Sequence, residues 1–414
     1  MVEISLRIDP VRGELALYGG EKTAHEPFPP WPQFAERTLT SVLEPLRSGR
    51  VSYLSGARGK EFEARWASWI GAAHAVSCSS GTAALHTALL ALGIQPGDEV
   101  IVPSHTFLST SLAVLHAGAA PVFCDVAGDH TMDPHALEAL VTDRTRAVIV
   151  VHLYGIVCAM DRILEVAKRR GLAVVEDCAQ SVGGEFHGRK AGTLGDAGCF
   201  SFSEGKHVST GGEGGMVVTD DEKLAEACRS LRDYGREQAN ATEYRGEENA
   251  TEYRGGAAHV RVGFNYRLTE IQSIIGLGEL DRLDTWNLPR RAGFAKTYDH
   301  AFSQLYGVRA LPLNTPERRN AYWKYPLQLD LERLTCGVEE FRRALVAEGL
   351  PDCGGRWPES YQEPVFAGRE QVRCAGAEAL QGMTVVLGLP PSWERAHVEL
   401  CISAVRKVLR AYRR

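Results

Sequence analysis

The sequence predicts an α/β fold: a large unit with a mainly parallel sheet flanked by helices, followed by a smaller C-terminal α/β unit. Three observations carry this expectation. From about residue 72, short β-rich runs alternate with helical runs, the rhythm of a parallel sheet covered on both faces. After residue 285 that rhythm changes. The chain has 414 residues, 44% of them hydrophobic and 24% charged, enough for a large core in two lobes. The expected divisions are an extended N-terminal segment at 1–35, a large domain at 36–284 and a small C-terminal domain at 285–414.

The elements follow in order. The stretch GGEKTAHEPFPPWPQF (19–34), rich in Pro and Gly, is expected to be extended and laid over the surface. HAVSC (74–78) reads as a strand and TAALHTALLAL (82–92) as a helix, with Leu85, Leu89 and Leu92 at helical spacing. GDEVIVP (97–103) precedes a helix near 107–117, and APVFCDV (120–126) follows it. RAVIVVHLYG (146–155), the helix AMDRILEVAKRR and GLAVVED (171–177) repeat the scheme, and AGCFSFS (197–203) adds another strand. In the C-terminal unit NAYWKYPLQLD (320–330) reads as a strand, VEEFRRALVAEGL (338–350) as a helix and HVELCISAVRKVLRAY (397–412) as a closing amphipathic helix. Residues 240–255 carry a tandem polar repeat, NATEYRGEE then NATEYRG, which reads as a tolerated loop insertion.

Composition narrows the partners. A net charge of -6 offers no basic face to a nucleic acid. No window reaches the apolar length of a membrane span, and the first twenty residues lack the h-region of a signal peptide. The ten cysteines are scattered without a C-x-x-C pair or metal-ligand spacing. Several lie in apolar runs, Cys124 in PVFCDV and Cys199 in GCFSF, as buried reduced thiols of a cytoplasmic protein would. Small-molecule partners are expected, and no metal.

In sheets of this kind ligands gather at the carboxyl ends of the strands. Polar clusters fall at such ends: SSGT after HAVSC, PSHTF after EVIV, HLYG after AVIVV and EDCAQS after GLAVV. Lys206 follows AGCFSFS, within FSFSEGKHVSTGGEGG (200–215). The chain has no P-loop, H-E-x-x-H or G-x-S-x-G. A lysine, a strand-end aspartate and a Ser/Gly/Thr turn at a helix N-terminus together suit pyridoxal phosphate. It needs an amine for a Schiff base, a carboxylate to keep its pyridine nitrogen protonated and an anion site for its phosphate. Lys206 would supply the amine and Asp177 the carboxylate. Gly81, Thr82 and Ala83 open a helix whose N–H groups would grip the phosphate. Ser201 could add a hydroxyl, and Phe107 could cover the ring face by stacking. Taken singly, Asp177 and Thr82 also read as helix caps and Phe107 as core; their coincidence at strand ends is the argument.

The segments SSGTAALHTALLALGIQPGDEVIVPSHTF, VVHLYG, VVEDCAQSVGG, GTLGDAGCFSF, GEGGMVVT, LRDYGRE and GFNYRLTEIQSIIGLGELDRLD resemble, in that order, the sugar aminotransferases of the DegT/StrS family. The resemblance implies PLP fold type I, the aspartate aminotransferase-like arrangement, as a homodimer with active sites at the subunit interface. It implies Lys206 as the Schiff-base lysine, Asp177 as the pyridinium partner and Gln180 beside the cofactor's phenolic oxygen. Gly81, Thr82 and Ser201 would bind the phosphate, and Asn265, in GFNYR, the phosphate of the neighbouring subunit. Family dehydratases that use the pyridoxamine form carry histidine in place of the lysine, so Lys206 favours transamination. Pyridoxamine 5'-phosphate would then be the intermediate, with ping-pong kinetics.

The N-terminal pattern LALYGGEK and EPFPPWPQF resembles the branch that aminates cyclic polyol ketones such as scyllo-inosose or 2-deoxy-scyllo-inosose in aminoglycoside pathways. A keto-cyclitol acceptor with L-glutamine or L-glutamate as donor is therefore expected. A nucleotide-linked keto-sugar stands second, and a dehydratase or a PLP-binding regulator behind both. His105, His152, Glu213, Arg236, Arg267 and Lys324 each admit a site role and a structural one.

Overall fold

Strand β1 (His74–Cys78) begins the central sheet, and β2 (Glu99–Pro103), β3 (Ala120–Cys124), β4 (Thr145–Val151) and β5 (Ala173–Asp177) follow with helices between them. The computed structural model describes residues 10–237, 258–351, 353–354, 359–368 and 373–414. The tandem repeat at 240–255 lies outside them.

A short hairpin, β6 (Glu185–Phe186) and β7 (Arg189–Lys190), precedes β8 (Ala197–Ser201) and β9 (Gly215–Thr219). The sheet order is β1-β9-β8-β5-β4-β2-β3. Strand β9 runs antiparallel to both β1 and β8, while β8, β5, β4, β2 and β3 are mutually parallel. The antiparallel strand follows from its connection: residues 202–214 return from β8 without a crossover helix, so the chain must reverse. Strands β2, β8 and β9 are buried at every position, as both-face coverage requires.

Alternate side chains of one strand feed two cores. Val148 and Val150 of β4 join Phe62, Trp66, Phe200 and Phe202 on one face. Ala147 and Ile149 join Leu85, Leu89, Val100 and Val217 on the other. Trp66 meets Phe202 with ring centroids 4.8 Å apart and Phe200 at 5.3 Å. A buried ion pair anchors β1: Glu63 accepts from the Ser77 amide at 2.8 Å and from Arg232, which also donates to the Ser77 carbonyl at 2.9 Å.

The C-terminal part has its own sheet, β10 (Val308–Arg309), β12 (Lys324–Leu329) and β13 (Thr384–Gly388) in the order β10-β12-β13. Strand β11 (Arg318–Arg319) pairs instead with β6. Helices Leu288–Phe302, Val338–Ala347 and Arg395–Ala411 contribute to a third core with Tyr325, Leu327 and Val405. Leu15 of the N-terminal segment is buried in this core. The Glu348 carboxylate holds that segment, accepting from the Ala16 amide at 2.9 Å and the Thr23 hydroxyl at 2.7 Å. Not all of the chain beyond residue 285 stays in this core. Tyr361, Phe366 and Leu380 pack on the large sheet with Phe123, where the Asp125 carboxylate accepts the Gly376 and Ala377 amides. No helix among the described residues is long and apolar enough to cross a membrane.

Candidate active site

The sheet order places β1, β8 and β5 close together, and their carboxyl ends carry the residues singled out in the sequence. Beyond β1 the helix Gly81–Ala91 begins, capped by Ser80, whose Oγ accepts the Ala83 amide at 3.1 Å. The Ala83 N–H is thus engaged, and the Gly81 and Thr82 amides have no partner among the described residues. Two free N–H groups at a helix N-terminus form an anion site. Ser201, the last residue of β8, faces it: a Cβ added at Gly81 would stand 2.7 Å from the Ser201 Cβ. Glycine at 81 is therefore what lets hydroxyl and amides converge.

Gly81→Val should push the helix N-terminus away from Ser201. Overpacking of about 1–3 kcal/mol corresponds to roughly 5- to 150-fold weaker binding of a phosphate-bearing cofactor. Equilibrium titration of pyridoxal phosphate into the variant measures this; wild-type affinity would place the phosphate elsewhere.

Lys206 lies in the reversal between β8 and β9. Its amide donates to the Ser203 carbonyl at 3.0 Å, and the Glu204 amide to Gly212 at 2.9 Å. Gly211 and Gly212 carry φ of 88° and 134°, which side chains resist. Three successive carbonyls are tied to distant elements. The Gly205 carbonyl accepts from Trp323 Nε1 at 2.6 Å, that of Lys206 from Trp31 Nε1 at 2.9 Å, and that of His207 from Asn287 Nδ2 at 2.5 Å. The amine itself lies 4.4 Å over the Trp323 ring. Burial pushes the Lys206 amine down to about 8; Asp177 and Glu213 oppose the shift and Lys324 adds to it. The lowered proton affinity, which leaves far more neutral amine at neutral pH than a solvated lysine has, suits a nucleophile or base.

Asp177 ends β5 and is 4% exposed. Its carboxylate accepts the Thr110 hydroxyl at 2.9 Å and the Ala179 amide at 3.1 Å. Burial raises its pKa, against those bonds and the Lys206 charge; a cation placed beside it would restore the ionised form. Gln180 is buried, and its Oε1 accepts the Tyr154 amide at 2.9 Å, which fixes its orientation. Phe107, in the loop beyond β2, is 53% exposed. Asn265 is exposed on a segment bridged to Asp233.

Other residues singled out by the sequence are engaged structurally. His152 Nδ1 accepts the Cys158 amide at 3.1 Å, so its Nε2 carries the proton and donates to Glu176 at 2.9 Å. Glu176 also accepts the amides of Gly192, Leu194 and Gly195. His152, Glu176 and Cys178 lie close enough to share a metal ion. The His152 and Glu176 atoms are instead committed to this network, and burial pushes the Cys178 thiol up to about 12. Arg236 and Arg267 both pair with Asp233. His105 is buried against His130, ring centroids 5.5 Å apart. The Glu213 carbonyl accepts from Thr210 and Gln272. Thr110, Asn287 and Trp323 bear on the site without a sequence signal that singles them out individually, and Trp31 is visible only as part of the N-terminal pattern.

The residues present fit pyridoxal phosphate: a partly buried amine, a buried carboxylate across from it, and two unpartnered amides beside a serine hydroxyl. Fold and site together define an α/β enzyme of fold type I. The chain belongs to the DegT/DnrJ/EryC1/StrS aminotransferase family, whose model matches residues 32–406, and it is an aminotransferase. It is 36% identical over 364 residues to the UDP-N-acetyl-3-dehydro-alpha-D-glucosamine 3-aminotransferase of Acidithiobacillus ferrooxidans, covering 87% of this chain and 90% of that one. The L-glutamine:2-deoxy-scyllo-inosose aminotransferase of Streptomyces fradiae is 40% identical over 321 residues, 76% of this chain and 74% of its own. Among solved structures, DesV of S. venezuelae, in complex with a ketimine intermediate, superposes with a TM-score of 0.81 at 34% identity, covering 92% of this chain and 98% of that one.

Proposed function

We propose that the protein is a pyridoxal-phosphate-dependent aminotransferase that moves an amino group from L-glutamine or L-glutamate to a keto-cyclitol of the scyllo-inosose type. The observation that carries the cofactor reading is the convergence of Lys206, Asp177, Ser201 and the free Gly81 and Thr82 amides. Pyridoxal phosphate supplies the electron sink and the carbon that carries the amino group between the two substrates. Lys206 holds the cofactor and, once released, moves a proton off the donor's α-carbon. Asp177 keeps a positive charge on the ring nitrogen, Gln180 and Phe107 orient the ring, and Gly81, Thr82 and Ser201 form the phosphate end, the Ala83 amide expected there being held by Ser80 instead.

The acceptor reading rests on the N-terminal pattern. Trp31, within it, donates to the Lys206 carbonyl, so the segment that resembles the cyclitol branch forms part of the site. A nucleotide-linked keto-sugar is the second reading, favoured by the 36% identity to the Acidithiobacillus enzyme. The protein is a cytoplasmic homodimer in this reading. Leu39 and Leu46 are exposed on the short helices Glu36–Ser41 and Leu43–Ser48, and Leu54 on the turn beyond them, an apolar surface that suits a partner subunit, and Asn265 reaches that partner's phosphate.

Borohydride reduction of the protein loaded with pyridoxal phosphate should leave the cofactor's mass on the Lys206 peptide. One of L-glutamine, L-glutamate or L-alanine should bleach the visible band. A ketone panel then separates the readings: turnover of scyllo-inosose or 2-deoxy-scyllo-inosose supports the first, and turnover of only nucleotide-linked keto-sugars supports the second. Failure to trap the cofactor on Lys206 overturns both.

A further inference from the structure

Two lysines share one indole. Lys206 Nζ lies 4.4 Å from the Trp323 ring centroid and Lys324 Nζ 4.9 Å from it. The ring is held firmly. Its Nε1 donates to the Gly205 carbonyl at 2.6 Å, the Trp323 amide donates to Tyr154 at 3.1 Å, and the Trp323 carbonyl accepts from Arg291 at 3.0 Å. The side chain is buried with Val151, Leu153, Tyr154 and Val386. An aromatic face attracts an ammonium, more strongly where water is excluded.

Resting on the functional reading above, Lys206 has two duties: bonded to the cofactor at one stage, and free but close by at another. We propose that Trp323 is a positioning residue for Lys206. Its ring face holds the ammonium beside the site whenever the amine is free, and the bond from Nε1 to the Gly205 carbonyl fixes that face against the lysine's own backbone. The other charged groups that act on Lys206 are Asp177 from β5, Glu213 from the far end of the lysine loop and Lys324 from β12. Lys324 is a second cation at the same ring, so the face stabilises Lys206 against a competitor. A ring that merely filled space would leave the proton affinity of the amine unchanged when replaced by an apolar side chain.

The test uses protein stripped of cofactor and the pH dependence of Lys206 acetylation by acetic anhydride, read by peptide mass spectrometry. Only the neutral amine reacts. Wild type should half-titrate near 8. Trp323→Phe keeps an aromatic face and should titrate close to wild type. Trp323→Leu removes it, and the apparent pKa should fall by about 0.5–1 unit, raising acetylation at pH 7 by roughly 2.5- to five-fold. Circular dichroism checks the fold, and Trp323→Met replaces the Leu variant if that one unfolds. A Leu or Met variant that titrates with or above wild type overturns the proposal. Failure of the functional reading is separate: it appears as no cofactor trapped on Lys206 in the wild type, whatever the acetylation curves show.

Discussion

Lys206→Ala should lower turnover with any amino donor by at least roughly 10⁴-fold, the upper end of what one positioned proton-transfer group supplies. In the proposed function the substitution removes two roles at once, the covalent tether and the acid/base. The variant should still bind pyridoxal phosphate, because Gly81, Thr82 and Ser201 are untouched, but borohydride should fix none of it to the protein. Its fold should survive, since the three carbonyl bonds from Trp323, Trp31 and Asn287 engage backbone rather than the amine. Single-turnover kinetics with L-glutamate, beside equilibrium cofactor binding, measure both parts. A variant within tenfold of wild type would falsify the assignment of Lys206.

The second large effect is expected at Asp177. Asparagine preserves the shape: its Oδ1 can still accept the Ala179 amide and its Nδ2 can donate to the Thr110 hydroxyl in a reversed bond, so the structure around β5 should hold. What it loses is the charge. A close pairing of unit charges is worth roughly 4 kcal/mol at intermediate dielectric, and each 1.36 kcal/mol is tenfold in rate, so Asp177→Asn should slow donor half-reactions about 10³-fold. Only the part of that pairing that is stronger in the transition state reaches the rate, so the figure is an upper expectation. The loss should fall on kcat more than on KM. Because burial raises the Asp177 pKa, the neutral carboxyl gains population as pH falls, and wild-type activity should drop at acid pH while the Asn variant shows no such limb. A rate within tenfold of wild type, or an acid limb that persists in the variant, would remove Asp177 from the role given to it.

Much of the architecture was legible because local rules and tertiary structure agree. HAVSC, AVVED and AGCFS are strands whose ends carry Ser80, Asp177 and Ser201, and a strand end followed by a small polar turn is visible in the chain itself. Gly81 was legible as a helix start, yet its closeness to Ser201 depends on β1 and β8 flanking the same antiparallel strand, a matter of sheet order. The reversal of β9 follows from the short return after β8. The segment containing Tyr361 and Phe366 sits on the large sheet because Phe123 and the Asp125 carboxylate are there to receive it; nothing in its own pattern says so. Thr110 and Asn287 left no trace, and Trp31 and Trp323 stood in longer patterns that did not mark their bonds to the lysine loop, for a similar reason. A single indole N–H or side-chain amide has no period, and its partner lies far away in the chain.

That distance has a consequence for the order of assembly. The bonds to the carbonyls of Gly205, Lys206 and His207 span 118, 175 and 80 residues. Contacts of such separation form late, since the entropy of closing long loops must be met before they help. On a ribosome the lysine would emerge more than a hundred residues before Trp323, and the first residues of the chain would wait for both. The reactive amine should therefore acquire its fixed place only when the C-terminal part has docked, so that capture of an aldehyde cofactor becomes a marker of completed folding.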